Sequence, residues 1–278
     1  MDYKLLALDL DGTLLRPDGG IDDVDLAAIA RLRDAGVPVT IATGRMFSGS
    51  VAAAQRAGIM GPIACCDGSH IVEVRGRREL VHEGIAGDDA LALKRVVERH
   101  QGNACFLLAQ DSIVHDDRGA PFVPYVRTWS TELAAVAHLC AHPHWEHEQG
   151  VLGVIAVGAA SDIDEMATEL TVEVGHAART VSFALSRQEG MAALVTRAKG
   201  PTKGTAVGWL AEHHGCAPVE VVVVGDWFND LPMFEVAGRS FAMAQAPERV
   251  KSVASDVLEA DRVRGGGVAE AIAKAWGI

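Results

Sequence analysis

Short apolar runs recur along the chain, and the first three each end in a polar turn that contains glycine. Residues 4–8 read as a strand, and Asp9, Asp11 and Gly12 follow at once. Uninterrupted apolar runs of this length suit strands covered on both faces. Residues 21–35 carry Val24, Ala27, Ala28, Leu32 and Ala35 at helical spacing, with Asp22 or Asp23 as the cap and Gly36 as the stop. Residues 37–42 predict a second strand, with Pro38 near its start where a lost donor matters least. It ends in Thr43-Gly44-Arg45. A helix then runs to about Gly58, and a third strand over residues 62–66 ends in Asp67-Gly68-Ser69. Strands alternating with helices imply a parallel sheet with right-handed crossovers.

The periodicity changes after Ser69. Two short strands flank the basic turn 75–78, and helices are expected over 88–100 and 131–140. Strands are expected over 105–108, 112–115, 151–157, 181–185 and 192–195, with a further helix beginning at a Ser161-Asp162 cap. The parallel pattern resumes with a helix over 205–213, a strand over 219–224, and the turn Gly225-Asp226-Trp227-Phe228-Asn229-Asp230. A short strand (240–243) and helices over 247–254 and 268–276 follow. The expected architecture is α/β: a Rossmann-like, doubly wound parallel core in two segments, 1–82 and 197–278, with an α+β insert over 83–196.

Composition narrows the function classes. Half the residues are hydrophobic and the net charge is −12, which argues against a nucleic-acid partner. No apolar stretch reaches the roughly 20 residues of a membrane helix, and no basic leader precedes an apolar segment at the N-terminus. The five cysteines are odd in number and lack zinc-type spacing, so free thiols in a reducing cytoplasm are expected.

In a parallel sheet the polar residues just past the strands share one edge, where α/β proteins bind ligands. A strand running into an acidic turn would explain Asp9 and Asp11 alone. The wider set also holds Thr43, Asp226, Asn229, Asp230 and Lys203 at a helix start. Cleavage of a phosphate monoester needs a nucleophile, a proton donor and neutralised charge. Asp9 can attack phosphorus, Asp11 can shuttle the proton, and Thr43, Asn229 and the N–H groups around Leu10 can hold phosphate oxygens. Two unit charges about 4 Å apart interact by about 4 kcal/mol at an effective dielectric near 20, so a phosphate beside Asp9 and Asp226 demands a cation. Mg²⁺, held by Asp9, the Asp11 carbonyl and Asp226, suits oxygen donors of this kind.

These motifs resemble those of the haloacid dehalogenase superfamily of aspartate-nucleophile phosphohydrolases, specifically Cof-type members with a C2B cap. Asp9-Leu10-Asp11-Gly12-Thr13-Leu14 matches the first family motif, Thr43-Gly44-Arg45 the second, Lys203-Gly204 the third, and Gly225-Asp226-x-x-Asn229-Asp230 the fourth. The resemblance implies that Asp9 is the nucleophile and Asp11 the general acid/base. It implies phosphate binding by Leu10, Thr43, Gly44, Lys203 and Asn229, Mg²⁺ binding at Asp226, and a supporting role for Asp230. The implied function is a cytoplasmic, Mg²⁺-dependent phosphatase of a small phosphorylated metabolite, sugar phosphates first, with pyridoxal phosphate and flavin mononucleotide behind. A phosphomutase and a non-catalytic sensor are the alternatives. Asp67 stands where relatives commonly have Asn, and Trp227-Phe228 where residues are usually small or polar. Arg45 and Asp67 are candidate substrate contacts, joined in the insert by Tyr125, Arg127, Trp129 and Arg187.

Overall fold

In the computed structural model, which describes residues 2–185 and 188–278, the first apolar run becomes an inner strand of a parallel sheet. The strands in chain order are β1 (Leu5–Leu8), β2 (Val39–Ile41), β3 (Pro62–Cys65), β4 (His70–Glu73), β5 (Arg78–His82), β6 (Ala104–Ala109) and β7 (Ser112–His115). They continue with β8 (Leu133–Ala135), β9 (Gly153–Ala159), β10 (Ala178–Ala184), β11 (Met191–Ala198), β12 (Val221–Gly225), β13 (Arg239–Ala242) and β14 (Asp256–Val257). The helices are α1 (Asp23–Asp34), α2 (Phe47–Arg56), α3 (Gly87–Arg99), α4 (Val123–Val126), α5 (Ala160–Val174), α6 (Lys203–His213), α7 (Leu231–Val236), α8 (Glu248–Lys251) and α9 (Gly267–Trp276). The chain divides into two compact units, one of Met1–Val81 with Thr202–Ile278 and one of His82–Pro201.

In the first unit the sheet order is β14-β13-β12-β1-β2, all parallel. Side chains alternate along each strand, so the apolar runs serve both faces. Leu6, Leu8, Ile41, Val222 and Val224 pack against α1, α2 and α9. Leu5, Ala7, Val221 and Val223 pack against α6 and α7. Every residue of β1 is fully buried, which is why that run has no polar position. The chain leaves β1 toward β2 on one side and returns through β12 on the other, creating a topological switch point at the carboxyl ends of β1 and β12.

In the second unit six strands run β10-β11-β9-β6-β7-β8, antiparallel except for the β7–β8 pair. Leu93, Val96 and Val97 of α3 and Ile163, Met166 and Leu170 of α5 bury Cys105, Leu107, Val154 and Leu194 of this sheet. The fold is thus a parallel α/β core interrupted in sequence by an α+β cap domain.

Several local expectations change. The helix expected over residues 131–140 is instead β8 followed by a 3-10 turn, Leu139–Ala141. The open edge of β7 captures this segment: Ile113 N–H donates to Glu132 O at 2.9 Å and Val136 N–H to His115 O at 2.8 Å. Pairing there outweighs the helix propensity of the Leu-Ala-Ala sequence. The third strand, β3, is joined to the β2 segment by an isolated Ala42–Ala64 bridge and by Thr40 Oγ1 donating to Pro62 O at 2.8 Å, and it pairs antiparallel with β4. Helix α5 starts at Ala160, with Ser161 and Asp162 inside its first turn, because Ala160 N–H is already satisfied by Gly190 O at 2.9 Å.

Helix α1 is rotated from its expected phase. Val24 is 58% exposed, whereas Asp25 is buried beside Ala28, Ile29 and Leu32. Asp25 turns inward because its carboxylate accepts Gly266 N–H at 3.1 Å and Ala269 N–H at 2.7 Å, capping α9 from a different helix. Truncation would strip the cap from both half-buried donors, which costs about 2 kcal/mol. Asp25→Ala is expected to lower the free energy of unfolding by about that amount in urea titration. Asp25→Asn, which keeps one acceptor, is expected to lose less; equal losses would show that the contact to α9 contributes nothing specific.

Candidate active site

Strand register brings the first carboxylates together. Leu8 pairs with Val224 and with Ile41, so Asp9, Asp226 and Thr43 all emerge just past the ends of adjacent strands. Asp9 N–H still donates to Val224 O at 3.0 Å, extending the ladder by one bond. Gly12 has φ +81°, and a Cβ on it would lie 2.2 Å from Asp226 Oδ2. The turn after β1 therefore needs glycine both for its backbone conformation and for this approach. Gly225 is required by contact alone, because a Cβ there would meet the Asp230 carboxyl at 2.5 Å.

Lys203 begins α6 and is 1% exposed. Thr202 caps that helix, accepting Thr205 N–H at 3.1 Å while its own N–H donates to Thr205 Oγ1 at 2.9 Å. So anchored, Lys203 Nζ donates to Asp9 Oδ1 at 2.5 Å and to Asp230 Oδ1 at 2.6 Å. Asp230 is fully buried, and its second oxygen accepts the N–H groups of Asp226 (2.8 Å) and Trp227 (2.9 Å). One side chain thereby organises the β12 turn and holds the ammonium.

Asp9, Asp226 and Asp230 each offer an oxygen within 4.8 Å of the others, and all three are buried. Burial raises the Asp9 carboxyl well above its usual range, against the opposing pull of Lys203. Burial likewise pushes Asp226 up to about 6, with the Gln245 hydrogen bond opposing and the Asp230 charge reinforcing the rise. Burial disfavours the charged form of Lys203, yet Asp230 and Asp9 together outweigh it and raise its pKa. Buried carboxylates outnumber the one buried ammonium, and hard oxygen donors in this excess fit a divalent cation such as Mg²⁺.

The remaining candidates divide into two groups. Thr43 is 1% exposed; its Oγ accepts Arg45 N–H at 3.2 Å and its carbonyl accepts Asp67 N–H at 2.9 Å. Asn229 Nδ2 donates to Asp67 Oδ1 at 2.9 Å, so these two candidates meet each other. Asp67 (φ 56°) and Cys66 (φ 51°) are consecutive left-handed residues held by the loops after β2 and β12. Asp11 stands apart from the buried cluster. Its side chain is 56% exposed and forms a bidentate pair with Arg45, whose Nε lies 2.7 Å from Asp11 Oδ2 and whose Nη1 donates to Gly49 O at 3.2 Å. Leu10 has a fully buried side chain, so only its backbone can face a ligand. Tyr125, Arg127 and Trp129 lie at and just after α4 in the other unit, and Arg187 lies outside the described residues.

Gln245 escaped the sequence reading. It follows β13 as a polar residue between alanines, at the same sheet edge as the other site residues, and its amide reaches Asp226 Oδ2 at 3.0 Å. The rule that located Asp9 and Asp226, polar residues just beyond a parallel strand, applies to it equally.

A family model for haloacid dehalogenase-like hydrolases matches residues 6–272. The pyridoxal phosphate phosphatase YbhA of Escherichia coli (strain K12) is 26% identical over 269 residues, covering 93% of this chain and 94% of the relative. The HMP-PP phosphatase of Serratia proteamaculans (strain 568) is 27% identical, covering 90% of this chain and 87% of the relative. A haloacid dehalogenase-like hydrolase from Bacteroides thetaiotaomicron has a similar fold, with a TM-score of 0.84 at 23% identity, covering 99% of this chain and 100% of that one.

The raised pKa of Asp226 gives a testable sign. With about 6 in the folded state against 3.8 when free, the folded chain holds a proton the unfolded chain has lost between those values. Metal-free stability from this group therefore falls as pH rises from about 4 to 6 and stays low above it. The melting temperature of Asp226→Asn minus that of the parent, in chelator, is expected to grow across this window. Mg²⁺ above pH 6 is expected to raise the parent's melting temperature and leave the variant's unchanged. A flat difference would contradict the assignment of burial as the cause.

Proposed function

The chain belongs to the haloacid dehalogenase-like hydrolase family and is a phosphoric monoester hydrolase, and we propose that it works through an aspartyl phosphate with Mg²⁺ as cofactor. The supporting observation is the contact of buried Lys203 with Asp9 at 2.5 Å beside the clustered carboxylates of Asp226 and Asp230. Asp9 attacks phosphorus while the bond to the leaving oxygen breaks, and that oxygen takes a proton from Asp11. Water then attacks the aspartyl phosphate, Asp11 accepts its proton, and inorganic phosphate departs with Asp9 restored. Lys203, Thr43 Oγ, Asn229 and the N–H groups of Leu10 and Gly44 hold the phosphate oxygens through both steps.

Asp9, Asp226 and the Asp11 carbonyl would hold Mg²⁺. When bound, that ion supplies positive charge against the repulsion between phosphate and carboxylates. The Asp11 carboxylate is engaged by Arg45, so that contact opens for Asp11 to reach the leaving oxygen.

The substrate class is small phosphorylated metabolites, with sugar phosphates as the first candidates and selection assigned to the inserted unit. A second candidate is the phosphate of a planar heteroaromatic alcohol. Trp227 (56% exposed) and Phe228 (44%) form an exposed aromatic pair directly after Asp226, with ring centroids 5.2 Å apart. Pyridoxal phosphate is the named substrate of one relative. No described helix is long and apolar enough to cross a membrane. All five cysteines are free, in keeping with the reducing cytoplasm in which the proposal places the protein.

Phosphate release from a panel of sugar phosphates and pyridoxal phosphate, with and without Mg²⁺, tests the proposal. Metal-dependent release is expected from at least one of them, and Asp9→Asn is expected to reduce turnover by 10³-fold or more, about 4 kcal/mol of barrier. Turnover that survives Asp9→Asn would remove the aspartyl phosphate from the mechanism. Activity that appears only with a bisphosphate activator, with little free phosphate, would favour the mutase.

A further inference from the structure

The Gln245 amide makes three hydrogen bonds, two from Nε2 and one to Oε1. Its Oε1 accepts Arg262 N–H at 3.0 Å, while Nε2 donates to Gly12 O at 2.7 Å and to Asp226 Oδ2 at 3.0 Å. Only this orientation of the amide satisfies the three partners at once, because Gly12 O and Asp226 Oδ2 need a donor and Arg262 N–H an acceptor. The side chain thus joins the turns after β1 and β12 to the segment that precedes α9.

The consequence for Asp226 is asymmetric. Oδ2 is engaged by Gln245 and lies so close to Gly12 that a Cβ there would come within 2.2 Å of it. No described group donates to Oδ1. A carboxylate held in this way can present one oxygen to a cation and not both. Mg²⁺ takes six ligands in near-octahedral geometry, whereas Ca²⁺ takes six to eight and commonly accepts both oxygens of one carboxylate. Residues that hold a ligand's other atoms tune affinity by about 10- to 100-fold.

The geometry points to Gln245 as the positioning residue that restricts Asp226 to one-oxygen coordination, so that the site prefers Mg²⁺ to Ca²⁺. This rests on the proposed role of Asp226 as a metal ligand. Gln245 neither touches the reacting atoms nor carries charge, and it acts entirely through Asp226. Without its amide, Asp226 Oδ2 is freed, and both carboxylate oxygens can turn to one larger ion.

Metal binding by the full chain tests this independently of turnover. Free Mn²⁺ is followed by electron paramagnetic resonance, and bound Mn²⁺ is displaced by Mg²⁺ or by Ca²⁺ to give the ratio of their dissociation constants. Gln245→Met, which keeps side-chain length and removes the donors, is expected to shift that ratio about tenfold toward Ca²⁺. The metal-free melting temperature is expected to fall by about the few degrees that the lost hydrogen bonds represent, with the fold retained. Gln245→Ala gives a second reading should the Met side chain disturb packing. A ratio unchanged in either folded variant overturns the inference, and so does loss of the metal-free fold in both, which would assign the amide to folding. Asp226→Asn, run in parallel, separates the two levels. If it binds Mn²⁺ as the parent does, Asp226 is not a ligand and the inference falls with that reading. If it loses Mn²⁺ while Gln245→Met keeps the parental ratio, only the inference falls.

Discussion

A lysine with 1% exposure, held between two aspartates, is the interaction on which the core depends. An isolated ammonium in this position would be strongly disfavoured, as would either carboxylate alone. Lys203 makes it possible to bury Asp9 and Asp230, and they in turn make it possible to bury Lys203. The arrangement draws on three separated parts of the chain: the turn after β1, the start of α6 and the turn after β12. Breaking the pair on one side leaves an uncompensated charge in the interior, so the same contacts that assemble the chemistry also secure the junction of the two core segments.

The second constraint is close approach. Gly12 admits the Asp226 carboxylate beside the first turn, and Gly225 admits Asp230 beneath the second. Each glycine sits next to an acidic residue in the sequence, but the acid that needs the space it leaves open comes from further along the chain. The motifs therefore record steric as well as chemical requirements. Asp230 extends the point, because its Oδ2 ties down Asp226 and Trp227 N–H while its Oδ1 holds Lys203.

Legibility in the sequence followed how local each cause is. The parallel core was readable because strands buried on both faces must be apolar throughout, and the polar residues beyond them then stand out. Asp25 was hidden because its partners lie more than 200 positions along the chain, at the start of α9, so periodicity alone placed Val24 on the buried face. Residues 131–140 were misread because Leu-Ala-Ala favours a helix until a neighbouring strand edge offers better hydrogen bonds. Gln245 was overlooked although it stands just past a parallel strand like the acids. A lone amide among alanines marks a site less plainly than a carboxylate does, and its partners appear only when β1, β12 and β13 stand side by side.

The interruption of the core has a consequence for synthesis. Strand β1 emerges from the ribosome long before its neighbour β12, which pairs with it from Val221 onward. Until that later segment is translated, Leu5–Leu8 lacks one edge of its sheet and Asp9 lacks both the lysine and the aspartates that surround it. Contacts of such long range are slow to form and leave apolar edges open meanwhile. A nascent chain therefore gains hydrolytic competence late and all at once, and truncated translation products should need chaperone protection while possessing no activity of their own.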